Sequence, residues 1–207
     1  MNSHWESTYA RTTPQERSWS EDSSATSLAW IAATGVAKSA ALVDVGGGAS
    51  HLVDELLAVG YTNVTVVDLS ASALAEVKAR VGSRATLVEG DLFEWSPPAP
   101  LGLWHDRAVL HFLISDDQRS RYVDHVAQSV AAQGAVVVAC FSLDGPEQCS
   151  GLPVQRASAE DLRLLFGPRF ALQEEAMINH ETPWGSTQSF TWVRFTRLDE
   201  PLDAEGE

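Results

Sequence analysis

The sequence is short of cysteine, of positive charge and of long apolar runs, and each shortage removes a class of protein. Only Cys140 and Cys149 occur in 207 residues, too few for a disulfide framework. Neither the cysteines nor the histidines show a C-x-x-C or H-x-x-x-H spacing, so no metal site is expected. No run approaches the ~18 apolar residues that a membrane helix needs. The N-terminal stretch MNSHWESTYARTTPQERSWSEDSS is polar and has no apolar signal core, which argues against export and for a cytoplasmic protein with reduced thiols. Lys and Arg number 14 against 28 acidic residues, a net charge of −14. So acidic a chain repels phosphate backbones and anionic lipid, and neither nucleic acid nor a membrane is an expected partner.

What remains is a chain of ordinary globular make-up, 44% hydrophobic and 20% charged, long enough for one domain with a sizeable core. Residues 1–24 read as a polar segment with isolated Trp5, Tyr9 and Trp19. The domain is expected over 25–198, and the tail 199–207, DEPLDAEGE, reads as disordered and acidic. After a helix through SLAWIAATG, strands and helices alternate. Strands are predicted at 41–45, 64–68, 85–88, 101–105 and 135–141. Helices are predicted at 51–59, 72–80 and 116–131, the last with a capping box formed by Ser115 and Gln118. A helix opened by Ser158 and closed by Gly167 follows. Strands at 170–179 and 189–197 with no long helix between them should pair antiparallel. The fold class is therefore α/β: a Rossmann-like, seven-stranded, mostly parallel sheet with an antiparallel C-terminal pair.

Ligands of such sheets sit beyond the carboxyl ends of the strands. In LVDVGGGASHLVDEL, residues 42–56, three glycines separate a strand from a helix. Glycine permits a sharp turn and close approach of a ligand to the backbone. Against the dinucleotide pattern G-x-G-x-x-G, Gly46 and Gly48 fit the first two places. His51 takes the third, where a small residue lets helix and strand pack closely, and this disfavours NAD. Asp68 ends the second strand 22 residues after Gly46, suited to grip a ribose diol.

These segments resemble the class I S-adenosylmethionine-dependent methyltransferases. VDVGGGAS, with Asp44, Gly46, Gly47 and Gly48, is similar to the first motif of that family, although Ser50 replaces the last glycine. VTVVDLS is similar to the second, VEGDLFEW to the third, and GAVVVACFSLDG to the fifth strand. The resemblance implies S-adenosyl-L-methionine as cofactor, with Asp68 on the ribose hydroxyls and Asp91 on the adenine amine. Leu69 and Leu92, which follow those acids, would sandwich the adenine. The competing readings are a strand-end turn residue for Asp68 and a helix cap for Asp91.

The stretch LWHDRAVLHFLISDDQRSRYV, residues 103–123, crowds polar groups at the end of the fourth strand. His105 or Asp106 should lie near the methionine part of the cofactor. Asp106, Arg107 and His111 are the candidate catalytic residues. Arg107 and His111 are four apart and would share a face on a helical turn. The competing readings are a local Asp106–Arg107 ion pair and a packed His111. The stretch also resembles the thiopurine S-methyltransferase group in Asp106, Arg107, Ala108 and Leu110, then Arg119 and Tyr122, with Gln118 departing from the acidic residue of the second run. That resemblance implies a thiol acceptor assisted by Arg107. Trp19 is a candidate lid residue over the cofactor; the alternative is a tail docked by aromatic burial.

The leading expectation is an enzyme that methylates a small molecule, as a monomer or homodimer. Protein-lysine methylation, a non-catalytic adenosine-cofactor-binding partner domain and an NAD-dependent oxidoreductase are the alternatives.

Overall fold

A computed structural model describes residues 2–200. Five parallel strands, β1 (Leu42–Val45), β2 (Val64–Asp68), β3 (Thr86–Glu89), β4 (Leu101–Arg107) and β5 (Val130–Phe141), are joined by an antiparallel pair, β8 (Phe170–Glu181) and β9 (Thr187–Arg197), in the order β3-β2-β1-β4-β5-β9-β8. The chain moves outward from β1 to β3 and then returns to lay β4 on the other side of β1. The strand order reverses between β1 and β4, and at that point a crevice opens at the carboxyl ends.

Side chains of successive strand residues face opposite sides of the sheet, and two cores follow. Val43, Val45, Val67, Trp104, Val136 and Val138 pack against α5 (Asp116–Ser129) and α6 (Ala159–Phe166). Leu42, Val64, Val66 and Leu103 pack against α2 (Ala25–Ala33), α3 (Leu52–Ala58) and α4 (Ala71–Val81). The capping box expected of Ser115 and Gln118 is formed, with Ser115 Oγ accepting from the Gln118 N–H at 3.2 Å, and the expected cap Ser158 accepts from the Asp161 N–H at 3.1 Å in a second box.

Four features differ from the sequence reading. The polar N-terminal segment contains a helix, α1 (Asn2–Arg11), and a 3-10 turn at Pro14–Glu16. Strand β4 runs two residues past His105, to Arg107. Helix α5 ends at Ser129, because Val130 already pairs with Leu101; the register slips and the ladder resumes at Ala135 opposite Leu103. A two-residue hairpin, β6 (Gln148–Cys149) and β7 (Leu152–Pro153), turns on Ser150 and Gly151, both at positive φ, as a tight hairpin turn requires. Most of the expected tail, 201–207, lies outside the described residues. Among the described residues, no helix is long and apolar enough to cross a membrane, and no group of three or more His, Cys, Asp or Glu could hold a metal ion.

Candidate active site

The floor of the crevice is the loop after β1. Gly46 and Gly48 sit at φ +61° and +53°, a region that L side chains disfavour. A Cβ at Gly46 would meet the Val109 side chain, and one at Gly47 the Asp44 carboxylate. His51 precedes α3 at its N-cap and is exposed. It does not stand between helix and strand, so the steric argument drawn from it does not hold.

Asp44, Asp68, His105 and Arg107 all border the cavity. His105 and Arg107 lie on the Leu103 side of β4, and Asp44 on the Leu42 side of β1, so strand alternation delivers them to one face. Asp68 Oδ2 accepts from the Gly48 N–H and Oδ1 from the Ser70 N–H, both at 2.8 Å. Burial, with Asp44 nearby, pushes the Asp68 carboxyl up to about 6 against those two bonds. Asp44 Oδ1 lies 2.7 Å from His105 Nδ1, and both side chains are buried.

The roof is the N-terminal segment. Trp5 and Tyr9, four apart on α1, face the cavity together. Trp19 Nε1 donates to the Tyr9 hydroxyl at 3.3 Å, and that oxygen also receives the Ala49 N–H above the glycine loop. Arg17, buried, stacks on the Tyr9 ring and pairs with Glu76 at 3.2 Å. The Glu6 carboxylate accepts from Ser70 and Ser72 at the start of α4. Farther along, Arg107 Nη1 donates to the Trp19 carbonyl at 3.2 Å and Nη2 lies 2.8 Å from Glu21 Oε1. The same Glu21 oxygen is 3.3 Å from His180 Nδ1, while His180 Nε2 contacts the Ser18 carbonyl at 2.6 Å. Residues 5–21 are thus strapped across a cavity of about 660 Å³.

Of the expected cofactor residues, Trp19, Asp44, Gly46, Gly47, Asp68, Leu69, Asp91, Leu92 and His105 border this cavity. Gly48 lies behind the Tyr9 hydroxyl. Asp91 is exposed and its Oδ1 also accepts from the Phe93 N–H at 2.9 Å.

Of the three candidate catalytic residues, only Arg107 reaches the cavity. Asp106 is corrected: as its neighbour on an extended strand, it faces the opposite core. There it accepts from the Val109 N–H at 2.8 Å, the Leu110 N–H at 3.1 Å and the Tyr122 hydroxyl at 2.6 Å, and burial pushes it up to about 6. The competing reading, a local Asp106–Arg107 ion pair, is not what forms either: Arg107 pairs with Glu21. His111 is corrected too. A short 3-10 turn, Leu110–Phe112, carries it, not a helix shared with Arg107, and Ala108 at φ +76° breaks the chain direction between them. The ring packs against Phe112 and Phe141, fully buried, and burial with Arg107 pushes it down to about 3.

Tyr9, Arg17, Glu21 and His180 were not singled out as site residues. The four-residue spacing of Trp5 and Tyr9 was the available signal; the charged partners carry none, because their pairing is long-range. Cys149 also borders the cavity, and burial pushes its thiol up to about 11.

The cradle fits an adenosyl sulfonium. The floor has backbone that admits no Cβ at Gly46 and Gly47, a strand-end carboxylate at Asp68, and further acids at Asp44 and Asp91 that would attract a cation and repel a pyrophosphate. Comparisons with known proteins agree. Residues 42–134 match the family described as a methyltransferase domain. No curated protein matches. Among solved structures, one described for the conversion of a disulfide bond into a thioacetal group during echinomycin biosynthesis is similar at 19% identity and TM-score 0.75, covering 96% of this chain and 93% of that one. The N-methyltransferase NodS from Bradyrhizobium japonicum WM9, in complex with S-adenosyl-L-homocysteine, is similar at 14% identity and TM-score 0.69, covering 94% and 98%. The 1,6-didemethyltoxoflavin-N1-methyltransferase of Burkholderia thailandensis is similar at 18% identity and TM-score 0.69, covering 92% and 81%. At these identities the likeness is one of fold. The NAD reading is set aside. Motifs, fold and the match over residues 42–134 agree on an S-adenosylmethionine-dependent methyltransferase.

Proposed function

We propose that this methyltransferase acts on a small-molecule acceptor, with thiols the first class to test. The observation that carries this reading is the roof: the chain's own residues 5–21 cover a cavity of about 660 Å³ that must hold the cofactor as well as the acceptor. Pockets of this size suit compact ligands, and a lysine on a folded protein would have to pass beneath α1 to reach the floor. The similarity to an enzyme named for 1,6-didemethyltoxoflavin supports a small acceptor. The local resemblance to thiopurine S-methyltransferases, and an acceptor end walled by Trp5, Trp19, Phe112 and Cys149, favour a soft nucleophile.

In this reading Asp68 accepts from the ribose hydroxyls through charge-assisted bonds. Asp91 accepts from the adenine amine, and Leu69 and Leu92 hold the two faces of the ring. Gly46 and Gly47 let the backbone approach the cofactor, and Asp44, with His105, borders its methionine end. The bound cofactor supplies an activated methyl on a sulfonium. The protein contributes alignment and a dry site, and alignment alone is worth ~7–11 kcal/mol in favourable systems. Trp19 and the strap exclude water and must part for exchange of ligands. Arg107 holds the strap: its charge is already met by Glu21 and the Trp19 carbonyl, which leaves it little to offer a thiolate.

The test is transfer from methyl-labelled S-adenosylmethionine to a panel of small thiols, amines and hydroxyls, beside a panel of folded proteins. Labelled small-molecule product is expected. Label confined to protein lysines would overturn the acceptor class.

A further inference from the structure

The floor of the cavity carries a pair whose second nitrogen has no assigned use. Asp44 Oδ1 lies 2.7 Å from His105 Nδ1, and His105 is 1% exposed. Its Nε2 is buried without a hydrogen-bond partner, and its ring borders the cavity. A carboxylate only accepts, so the contact places a proton on Nδ1, and in the neutral imidazole Nε2 then carries the lone pair. A buried polar atom left unpaired costs free energy, which points to a partner supplied by a ligand.

The neighbouring cavity groups are committed elsewhere, Asp68 to the ribose hydroxyls in the reading above. Arg107 is a cation engaged by Glu21. Both oxygens of Asp68 are engaged by backbone N–H groups. The Tyr9 hydroxyl is held by Trp19 and the Ala49 N–H, and the Cys149 thiol is buried beside Ser18. Asp106 and Tyr122 bond each other on the far side of the sheet. Among these groups His105 combines a free acceptor atom with an adjacent carboxylate able to stabilise the imidazolium, the arrangement of a base held by an orienting acid.

We propose that His105 is the general base of the transfer, with Asp44 as its orienting partner, and that the acceptor therefore enters protonated. This rests on the reading of a methyltransferase with a small-molecule acceptor and names the form that acceptor takes. The acceptor atom bonds to the methyl carbon as the methyl–sulfur bond breaks. The bonding pair stays on sulfur, which becomes a neutral thioether, and the acceptor's proton passes to His105 Nε2. It returns to solvent when the roof opens.

His105→Asn keeps an N–H for Asp44 and removes the base. At pH 7 alkanethiols are protonated, whereas 4-nitrobenzenethiol is ionised. At saturating S-adenosylmethionine the variant should lose ~10²–10⁴-fold more in kcat/KM with alkanethiols than with the nitrobenzenethiol, the usual contribution of a general base. Calorimetry with S-adenosylhomocysteine reads any change in cofactor affinity separately, and such a change lowers both rates alike. In the free wild-type enzyme, ¹⁵N-histidine spectra should show His105 protonated on Nδ1 and bare on Nε2, a readout that stands even if the variant does not fold. An equal loss with both thiols, no loss with either, or a proton on Nε2 overturns the assignment. A wild type that binds S-adenosylhomocysteine but methylates no member of the panel overturns it as well. Failure to bind S-adenosylhomocysteine strikes the methyltransferase reading itself, and the assignment with it.

Discussion

Two adjacent residues, Asp106 and Arg107, end β4 on opposite faces. One reaches the cavity and the other braces a turn. Their types were equally suggestive in sequence. Only the strand's true end, two residues beyond the expected one, fixes which of them meets a ligand. Gly46, Asp44 and Asp68 were legible because a bare turn and strand-end acids announce themselves locally. Asp68 leads to a prediction with a sign. Its carboxyl titrates at about 6 in the free protein, and ribose hydroxyls favour the ionised form. Protonation therefore competes with binding below that value, and affinity for S-adenosylhomocysteine should fall about tenfold between pH 7 and pH 5. In Asp68→Asn it should be weak and flat with pH. A wild-type affinity independent of pH across that range would contradict this. His111 gives a stability prediction. Its folded pKa of about 3 lies below the ordinary 6.5, so the unfolded chain takes up a proton that the folded chain refuses. The stability it contributes is full above pH 6.5 and declines as pH falls, by about 2 kcal/mol at pH 5. The carboxyls of Asp68 and Asp106, both raised, act oppositely over about 4 to 6, so a difference between variants isolates the histidine. Melting temperatures of His111→Phe and wild type should diverge in the variant's favour as pH falls from 7 to 5; parallel curves would refute the assignment.

Among the elements, the N-terminal helix was the hardest to read. Its composition is polar, and its inward face amounts to Trp5 and Tyr9. What holds it is a set of long-range polar links that no local pattern encodes: Glu6 to Ser70 and Ser72, Arg17 to Glu76, and Glu21 to Arg107. The core helices were legible because their apolar spacing and caps are local, and the antiparallel pair because no helix separates its strands. Deleting residues 1–20 should leave a folded domain, since the sheet and both cores start later, but with poorer turnover; full activity in the truncated protein would show that the segment is not a lid. Arg107→Ala opens the strap at its other end. Breaking a buried pair costs ~3 kcal/mol or more, so the melting temperature should drop, while kcat/KM falls by a factor that does not vary with pH. A defect greatest at low pH would instead assign the arginine to ionising the acceptor.

At the scale of the molecule, the alternation of strands and helices predicted the sheet, and the reversal of strand order between β1 and β4 places the crevice. The net charge of −14 complements this: the cavity borders on Asp44, Asp68 and Asp91, acids that favour a sulfonium over a dinucleotide. The acceptor was not legible at this scale, because methyl transfer asks mainly for alignment and leaves few obligatory side chains. The central claim, an adenosyl-sulfonium site closed by the chain's own N-terminus, is tested most directly by calorimetric titration of the whole protein with S-adenosylhomocysteine, with NAD as the control. The account predicts one site with a Kd on the order of micromolar and no heat from NAD. Heat from NAD with none from S-adenosylhomocysteine would contradict it.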